Sequence, residues 1–305
     1  MTKGDWWLVA GGWGADHESP ITSHQSPVTP STLLRTTTDR LAAAGVPDPQ
    51  VDAEWLLAHC LGGRRVDLAL QARQPLTSIQ QRQCEQFVTR RLRREPLQYI
   101  LGTQSFYGRD FRVTPDVLIP RPETETLVER ALAVAKQPLQ MLDLCTGSGC
   151  IAITLALERP AARITATDTS AAALTVAREN AARHEIQERI AWFEADLFPP
   201  SPATYDVIIS NPPYCPEAVW PTLQPEVRDW EPQTAVVSGN DGLALLRRIV
   251  QDAWRWLRAG GVLALEVGDD QAAHVVRSME TTGHYTALKI HRDLTGRERV
   301  ITAEA

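Results

Sequence analysis

The sequence has few cysteines, no long apolar run and no excess of positive charge, and each absence excludes a class of protein. The five cysteines of the 305 residues form no Cys-x-x-Cys pair and no Cys/His metal spacing. We therefore expect no metal, and reduced thiols of the kind found in the cytoplasm. No stretch approaches the eighteen or so apolar residues of a membrane helix. Lys and Arg total 31 against 37 Asp and Glu, a net charge of −6 that argues against a protein that coats nucleic acid.

The N-terminal third divides into two parts of different composition. Residues 1–30 are rich in glycine, serine, threonine and proline, and we expect a disordered extension there. Its apolar stretch, Trp6–Ala10, is followed by glycines and acids, an unfavourable pattern for a secretory signal. From 31 to 95, apolar residues recur at helical spacing in three segments, which predicts a small helical domain. Because selecting one short motif in a large protein needs a remote docking surface, we expect this domain to recognise the substrate. Its last helix ends with arginines that either complement the helix dipole or dock onto an anionic partner, namely Arg90, Arg91, Arg93 and Arg94.

The remainder of the chain has the pattern of an α/β protein. Residues 96–120 place aromatic and β-branched residues around Gly108, which predicts a β-hairpin linker. From 121 to 305, strands and helices alternate, which predicts a catalytic domain with a doubly wound, mostly parallel, seven-stranded sheet that ends in an antiparallel hairpin. Ligands of such sheets bind beyond the carboxyl ends of the strands. The predicted strands are 140–144, 163–168, 190–194, 206–210, 261–266, 285–291 and 297–302.

A glycine turn and three acids lie at successive strand ends. Gly147–Ala152 matches Gly-x-Gly-x-x-Gly/Ala, which by itself equally fits a dinucleotide site. Asp143, just before the turn, favours S-adenosylmethionine, because its carboxylate attracts an ammonium group and repels a pyrophosphate. Asp168 can accept the ribose hydroxyls, and Asp196 the adenine amino group, with Leu197 against the base. A helix N-cap is the alternative for either acid alone, but recurrence at three strand ends favours a ligand site.

The most informative feature is the tetrapeptide that follows the buried strand 206–210. Asn211 is followed by Pro212 and Pro213, which fix the backbone direction and carry no N–H donors, so nearby carbonyls remain acceptors. Together with the Asn211 side-chain oxygen and the ring of Tyr214, they suit a planar NH2 group. An amide nitrogen is a poor nucleophile, so catalysis would consist of positioning and electrostatics. We predict that Asn211, Pro212 and Tyr214 are catalytic and that Pro213 completes the substrate site.

Six segments together resemble the HemK-type peptide chain release factor glutamine methyltransferases, over residues 32–303. The resemblance implies a class I S-adenosylmethionine-dependent methyltransferase fold behind a helical domain. The implied reaction is N5-methylation of the glutamine in the Gly-Gly-Gln motif of class 1 release factors, in the cytoplasm. The segments are 96–102, 117–125, 143–149, 211–214, 239–243 and 293–297.

The resemblance also assigns residues and leaves alternatives. Cys145 stands where the family often has glycine, and Leu197 where it often has an aromatic residue. Related chemistry could methylate a ribosomal-protein glutamine, or the N6 of adenine in nucleic acid, although the latter needs a basic surface. An NAD-dependent oxidoreductase would leave the tetrapeptide unexplained, and a non-catalytic adaptor would be expected to lose Asn211 or Tyr214. The implied partner is the release factor, with no membrane and no nucleic-acid substrate. The implied cofactor residues are Cys145, Thr146, Gly147, Ser148, Gly149, Asp168, Leu197 and Asn211.

Overall fold

The computed structural model describes residues 27–134 and 139–305. Most of the expected disordered extension, up to Ser26, lies outside the described residues. Its last residues are part of the folded chain, contrary to the expectation. The Val28 carbonyl accepts a hydrogen bond from the backbone N–H of Leu76 at 2.9 Å, and Thr29 caps the first helix. Within the described residues, no helix is long and apolar enough to cross a membrane.

Among residues 27–102, five α-helices form the N-terminal unit. Thr29 and Thr77 start two of them with capping boxes, in which the threonine side chain and the third helical residue bond each other's backbone N–H groups. The helices bury a small apolar core that includes Leu41, Leu56 and Val88. The helices are α1 (Pro30–Ala43), α2 (Pro49–Cys60), α3 (Leu68–Gln71), α4 (Ser78–Leu92) and α5 (Leu97–Leu101).

The expectation of reduced thiols is wrong for two of the cysteines. Cys60 of α2 and Cys84 of α4 form a disulfide, with their α-carbons 5.6 Å apart. They are distant in sequence and carry no spacing motif, so only the packing of α2 against α4 brings them together. Cys145, Cys150 and Cys215 are free.

The expected hairpin around Gly108 is present. Strands β1 (Thr103–Phe106) and β2 (Arg109–Arg112) pair antiparallel across a two-residue turn. Both turn residues have positive φ, 51° at Tyr107 and 72° at Gly108, as the tightest hairpin turns require. The elements that follow are α6 (Thr124–Val134), β3 (Gln140–Leu144), α7 (Cys150–Glu158), β4 (Arg163–Asp168), α8 (Ala171–Arg183), β5 (Ile190–Glu194), β6 (Tyr205–Ser210), α9 (Pro225–Arg228), α10 (Ala244–Asp252), β7 (Leu257–Glu266), α11 (Ala272–Thr282), β8 (Thr286–Arg292) and β9 (Glu298–Glu304).

The large sheet has seven strands in the order β5-β4-β3-β6-β7-β9-β8. The pairs from β5 to β7 are parallel, whereas β9 runs antiparallel to both β7 and β8. The predicted doubly wound sheet with its antiparallel terminal hairpin is therefore confirmed. The strand order reverses between β3 and β6, the point at which ligands bind in such sheets.

Both faces of the sheet are covered, as its apolar strands require. In β3, Met141 faces a core shared with α6 and α7, whereas Leu142 and Leu144 face a core shared with α10 and α11. This alternation of side chains follows from the two-residue period of a strand. The parallel pairing of β3, β4, β5 and β6 places their carboxyl ends at one edge of the sheet.

Three of the arginines at the end of α4 pair with acids of the same chain, and the hypothesis that they dock onto a partner is wrong for the buried Arg91, whereas it stays a prediction for the others. Arg91 is only 4% exposed; it donates to Asp52 at 2.6 Å and to Glu226 of α9 at 2.8 Å. Arg94 donates twice to Glu226, at 2.7 Å each. Arg90 pairs with Glu95 and keeps 40% of its side chain exposed, and Arg93 is exposed. These contacts clamp the helical unit onto the catalytic unit.

We predict that Glu226→Gln lowers the free energy of unfolding by about 3–5 kcal/mol at neutral pH, because it leaves Arg91 without half of its buried charge partners. Burial raises the pKa of Glu226, but the hydrogen bonds from Arg94 and Arg91 outweigh burial, so the pKa lies below its ordinary value of 4.5. The stabilisation is therefore present above about pH 4.5 and is lost as the pH falls through the folded-state pKa. Denaturant unfolding of both proteins at a series of pH values measures the difference.

The matched control is Glu85→Gln. Glu85 also pairs with an arginine, Arg40, but the two side chains are 52% and 40% exposed. An exposed pair contributes about 1 kcal/mol or less. Equal losses in the two variants would show that the Glu226 clamp does not stabilise the protein.

Candidate active site

A cavity of about 370 Å³ opens at the carboxyl ends of β3, β4, β5 and β6. Its volume lies within the range of small-molecule sites. Its opposite wall comes from residues 116–118 of the linker and from residues 232–238. Of the residues singled out from the sequence, those that line it are Cys145, Gly147, Asp168, Asp196, Leu197, Asn211 and Pro213.

Asp143 is not among the lining residues, although it was expected to meet the ligand. It is fully buried, and its Oδ2 accepts from the Thr146 hydroxyl at 2.5 Å and from the Ala152 backbone N–H at 3.1 Å. Burial raises its pKa to about 7, against the lowering by these two hydrogen bonds. Asp143 thus fastens the glycine turn to the first turn of α7. Thr146, Ser148, Gly149, Pro212 and Tyr214 also lie outside the lining.

The two glycines of the turn have different surroundings. Both need the left-handed backbone region, with φ of +53° at Gly147 and +80° at Gly149. Nothing lies within 4 Å of the place where a Gly147 side chain would begin, and Gly147 lines the cavity. At Gly149 the same atom would lie 3.0 Å from Cβ of Ala177 and 3.1 Å from Trp192. Gly147 thus leaves room for a ligand, whereas Gly149 lets α8 pack closely.

Cys145 and Leu197 also adopt positive φ, 59° and 71°. A left-handed backbone explains why glycine suits the first of these positions, since a side chain there costs about 1–2 kcal/mol.

The two remaining strand-end acids differ in exposure and in partners. Asp168 accepts from the backbone N–H groups of Gly147 and Ser170, at 2.9 Å each, so it holds the glycine turn against the end of β4. Burial raises its pKa more than these hydrogen bonds lower it. The N-cap of α8 is Ser170, so the N-cap alternative is wrong for Asp168. Asp196 is exposed and accepts from Arg248 at 2.9 Å.

The tetrapeptide Asn211–Tyr214 is held by side chains from three directions. Asn211 Nδ2 donates to the Thr124 hydroxyl at 3.0 Å, and among the described residues nothing donates to Asn211 Oδ1. The Tyr214 hydroxyl donates to Glu266 Oε1 at 3.2 Å, and its carbonyl accepts from Gln271 Nε2 at 2.8 Å. An amide anchored by its nitrogen beside a cavity can accept a hydrogen bond with its oxygen.

Comparison with known proteins identifies the family. A family model described as "PrmC N-terminal domain" matches residues 32–102, and one described as "Methyltransferase small domain" matches residues 123–220. A release factor glutamine methyltransferase of Geobacter sulfurreducens is 43% identical over 270 residues, which cover 88% of this chain and 94% of that protein. The one of Cereibacter sphaeroides is 44% identical over 271 residues, which cover 88% and 96%. The chain belongs to the release factor glutamine methyltransferase family. The resemblance found in the sequence is therefore confirmed.

Solved structures show the same catalytic fold. A methyltransferase from Pyrococcus furiosus superposes with a TM-score of 0.50 at 18% identity, covering 66% of this chain and 90% of that one. The hMettl16 catalytic domain, solved with an RNA hairpin, gives a TM-score of 0.52 at 16% identity, covering 64% and 74%. At these identities the comparison shows the methyltransferase fold alone, which agrees with the sheet order described above.

Two polar residues at the site of this family member were not singled out from the sequence. Glu266 is a further acid at a strand end, so the rule that selected Asp143, Asp168 and Asp196 could have found it. Thr124 lay inside a matched segment, but its contact with Asn211 spans 87 positions of sequence and depends on how α6 packs. The opposite wall of the cavity, residues 232–238, contains only one short 3-10 helix, so its sequence carries no helical or strand periodicity.

We predict that Gly149→Ala costs about 3 kcal/mol of folding stability, because it adds both left-handed strain and a clash with α8. The matched control is Gly147→Ala, which carries the same type of strain without a neighbour and should cost about 1 kcal/mol. Thermal and denaturant unfolding of both variants measure the contrast. Equal losses would mean that the packing of Gly149 against Ala177 and Trp192 is not tight.

Proposed function

We propose that this enzyme transfers a methyl group from S-adenosylmethionine to the side-chain amide nitrogen of the glutamine in the Gly-Gly-Gln motif of class 1 release factors. The observation that carries the proposal is the Asn211 amide, whose nitrogen is bound by Thr124 and whose oxygen is left as an acceptor at the cavity. Family membership supports the release factor as the substrate. The cytoplasm is the compartment that we propose, because release factors act on ribosomes.

The residues of the cavity fit S-adenosylmethionine. The open side of Gly147 admits a ligand close to the backbone, Asp168 supplies oxygens for ribose hydroxyls, and Leu197 supplies an apolar surface for a base. Asp196 can accept from the adenine amino group, although it also pairs with Arg248. Cys145 completes the wall, while Asp143, Thr146, Ser148 and Gly149 give the turn its shape. When bound, the cofactor supplies an electrophilic methyl group on a sulfonium.

For the substrate, the chain supplies orientation. Asn211 Oδ1 accepts one hydrogen of the glutamine NH2, and the Pro212 carbonyl accepts the other, which fixes the plane of the amide. Pro213 lines the cavity, and the Tyr214 ring, which ends the tetrapeptide, is held by Glu266 through its hydroxyl. Because the amide lone pair is delocalised, holding the nitrogen in one place lowers the barrier mainly by positioning and by preorganised dipoles.

The decisive experiment is mass spectrometry of a purified class 1 release factor after incubation with the enzyme and isotope-labelled S-adenosylmethionine. We expect one labelled methyl group on the side chain of the Gly-Gly-Gln glutamine. Label found instead on a ribosomal-protein glutamine, or on adenine of added nucleic acid, would replace this substrate with the alternative. A release factor whose motif glutamine is changed to alanine is the control substrate.

We predict that Asn211→Ala lowers kcat by roughly 10²–10³-fold, the typical loss when one preorganised polar contact is removed. Thermal stability should change little, since the substitution removes a single side-chain hydrogen bond, the one to Thr124. Asn211→Asp keeps an accepting oxygen but loses the N–H that binds Thr124, so we expect it to fall between alanine and wild type. An alanine variant that methylates release factor at the wild-type rate would show that the tetrapeptide Asn211–Tyr214 has a structural role only.

We predict that Asp168→Ala weakens S-adenosylmethionine binding by about 1.5–3 kcal/mol for each charged hydrogen bond that is lost. Asp196→Ala is the comparison, because this more exposed acid should cost less. Isothermal titration of both variants gives the two affinities. Unchanged affinity in Asp168→Ala contradicts its assignment, and binding of NAD without S-adenosylmethionine would overturn the reaction class.

A further inference from the structure

Gln271, at the start of α11, makes a bridge to the tetrapeptide Asn211–Tyr214 that none of the roles above uses. Its side-chain Nε2 donates to the Tyr214 carbonyl at 2.8 Å, and its Oε1 accepts from the backbone N–H of Gly268 at 2.9 Å. The Gln271 carbonyl accepts from the backbone N–H of Val275, which belongs to the first turns of the helix. The side chain therefore extends from a fixed point, and both ends of its amide are bound.

The tetrapeptide has few main-chain restraints of its own. Pro212 and Pro213 carry no N–H, and among the described residues no group donates a hydrogen bond to either of their carbonyls. At the near end, the Asn211 side chain is anchored. After the two prolines, the first main-chain carbonyl that accepts a hydrogen bond is that of Tyr214, and its donor is Gln271. Gln271 thus restrains the far end of the tetrapeptide.

Two glycines leave the space that this bridge occupies. A side chain at Gly242, where φ is +75°, would overlap the Tyr214 carbonyl oxygen, and its first atom would lie 2.7 Å from Gln271 Nε2. At Gly268 the same atom would lie 3.0 Å from Gln271 Oε1 and 3.3 Å from Cδ2 of Tyr214. A side chain at either position would therefore displace the bridge. Segment 239–243, which was singled out from the sequence, thus acquires a role at the site.

We propose that Gln271 is a positioning residue that fixes the Tyr214 end of the tetrapeptide, and with it the Pro212 carbonyl, against the target glutamine. The inference rests on the proposed function and adds a residue to it. The Tyr214 hydroxyl donates to Glu266 at 3.2 Å, so Tyr214 is held at two points, from the end of β7 and from the start of α11. Gln271 does not line the cavity of about 370 Å³, so its loss should spare cofactor binding.

The experiment replaces Gln271 by two side chains of similar length. We expect Gln271→Met to lower kcat for release factor methylation roughly 10²-fold, as a misplacement of about 1 Å can, with KM for both substrates within about threefold of wild type. Gln271→Glu keeps an acceptor for the Gly268 N–H, and an acid suits a helix N-terminus, but at neutral pH it has no donor for Tyr214. It should therefore keep the wild-type melting temperature and still lose kcat. Wild-type kcat in either variant would overturn the proposal.

A spectroscopic measurement tests the contact itself. Tyr214–Cys215 is the one Tyr-Cys step in the sequence. Protein labelled with ¹³C at the tyrosine carbonyls and with ¹⁵N at the cysteines therefore gives a single carbonyl–nitrogen correlation, which reports on the Tyr214 carbonyl. We expect this carbon to move upfield in both Gln271 variants, because the loss of a hydrogen bond shields a carbonyl carbon. An unchanged shift in Gln271→Met would overturn the proposal whatever its kcat.

Gly242→Ala disturbs the same contact without changing Gln271, and Gly260→Ala is its matched control. Both glycines have φ of +75°, but nothing lies within 4 Å of the place where a Gly260 side chain would begin. We expect Gly242→Ala to shift the Tyr214 signal and to lower kcat as Gln271→Met does, whereas Gly260→Ala keeps nearly the wild-type kcat. Equal kcat values in the two alanine variants would contradict the proposal.

Wild-type enzyme is assayed in parallel with every variant. A wild type that fails to methylate the release factor refutes the proposed function itself. An active wild type with an equally active Gln271→Met refutes only the role of Gln271.

Discussion

The parallel pairing of β3 with β6 is the constraint on which the site depends. The connections after these neighbouring strands lead to opposite sides of the sheet, so a crevice opens between their carboxyl ends. The Ser210 hydroxyl donates to the Leu144 carbonyl at 2.7 Å and locks the last residues of the two strands side by side. Cys145 and Asn211 follow directly, so the glycine turn and the Asn-Pro-Pro-Tyr box start from one fixed point. Any slip of register here would separate the two halves of the site.

Contacts between residues distant in sequence hold the neighbouring segments against the carboxyl ends of β3 and β6. Asn180 of α8 is fully buried; it binds both backbone groups of Arg112 in the hairpin and donates to the carbonyl of Ser148 in the glycine turn. On the opposite side, Glu226 ties the segment after the box to Arg91 and Arg94 of the helical unit. The helical unit is thus coupled to a segment that leads into the cavity wall.

The acids at the strand ends show how one sequence feature serves different purposes. Asp143 is buried and stabilises the turn, Asp168 bridges the turn and the start of α8, and Asp196 is exposed on the rim. Glu266, at the end of β7, is buried and accepts from the Tyr214 hydroxyl. Their common position follows from the parallel sheet, which gathers strand ends at one edge. Their separate roles follow from how deeply each side chain is buried, and the helices that cover each strand decide that burial.

The sequence by itself determined the fold class, the strand that each motif follows and the residues that gather at the switch point, because these depend on local periodicity and on short motifs. It also led to the prediction that Asn211 is the central residue, since a Pro-Pro step after a buried strand leaves few other uses for an amide. The sequence could not decide which way that amide points, because its anchor, Thr124, is 87 positions away. Nor could it place Arg91 inside the protein or join Cys60 to Cys84, since both depend on how helices distant in sequence pack. Only the tertiary structure brings those partners within bonding distance, and so it alone decides the burial and hydrogen-bond direction that give each polar residue its role.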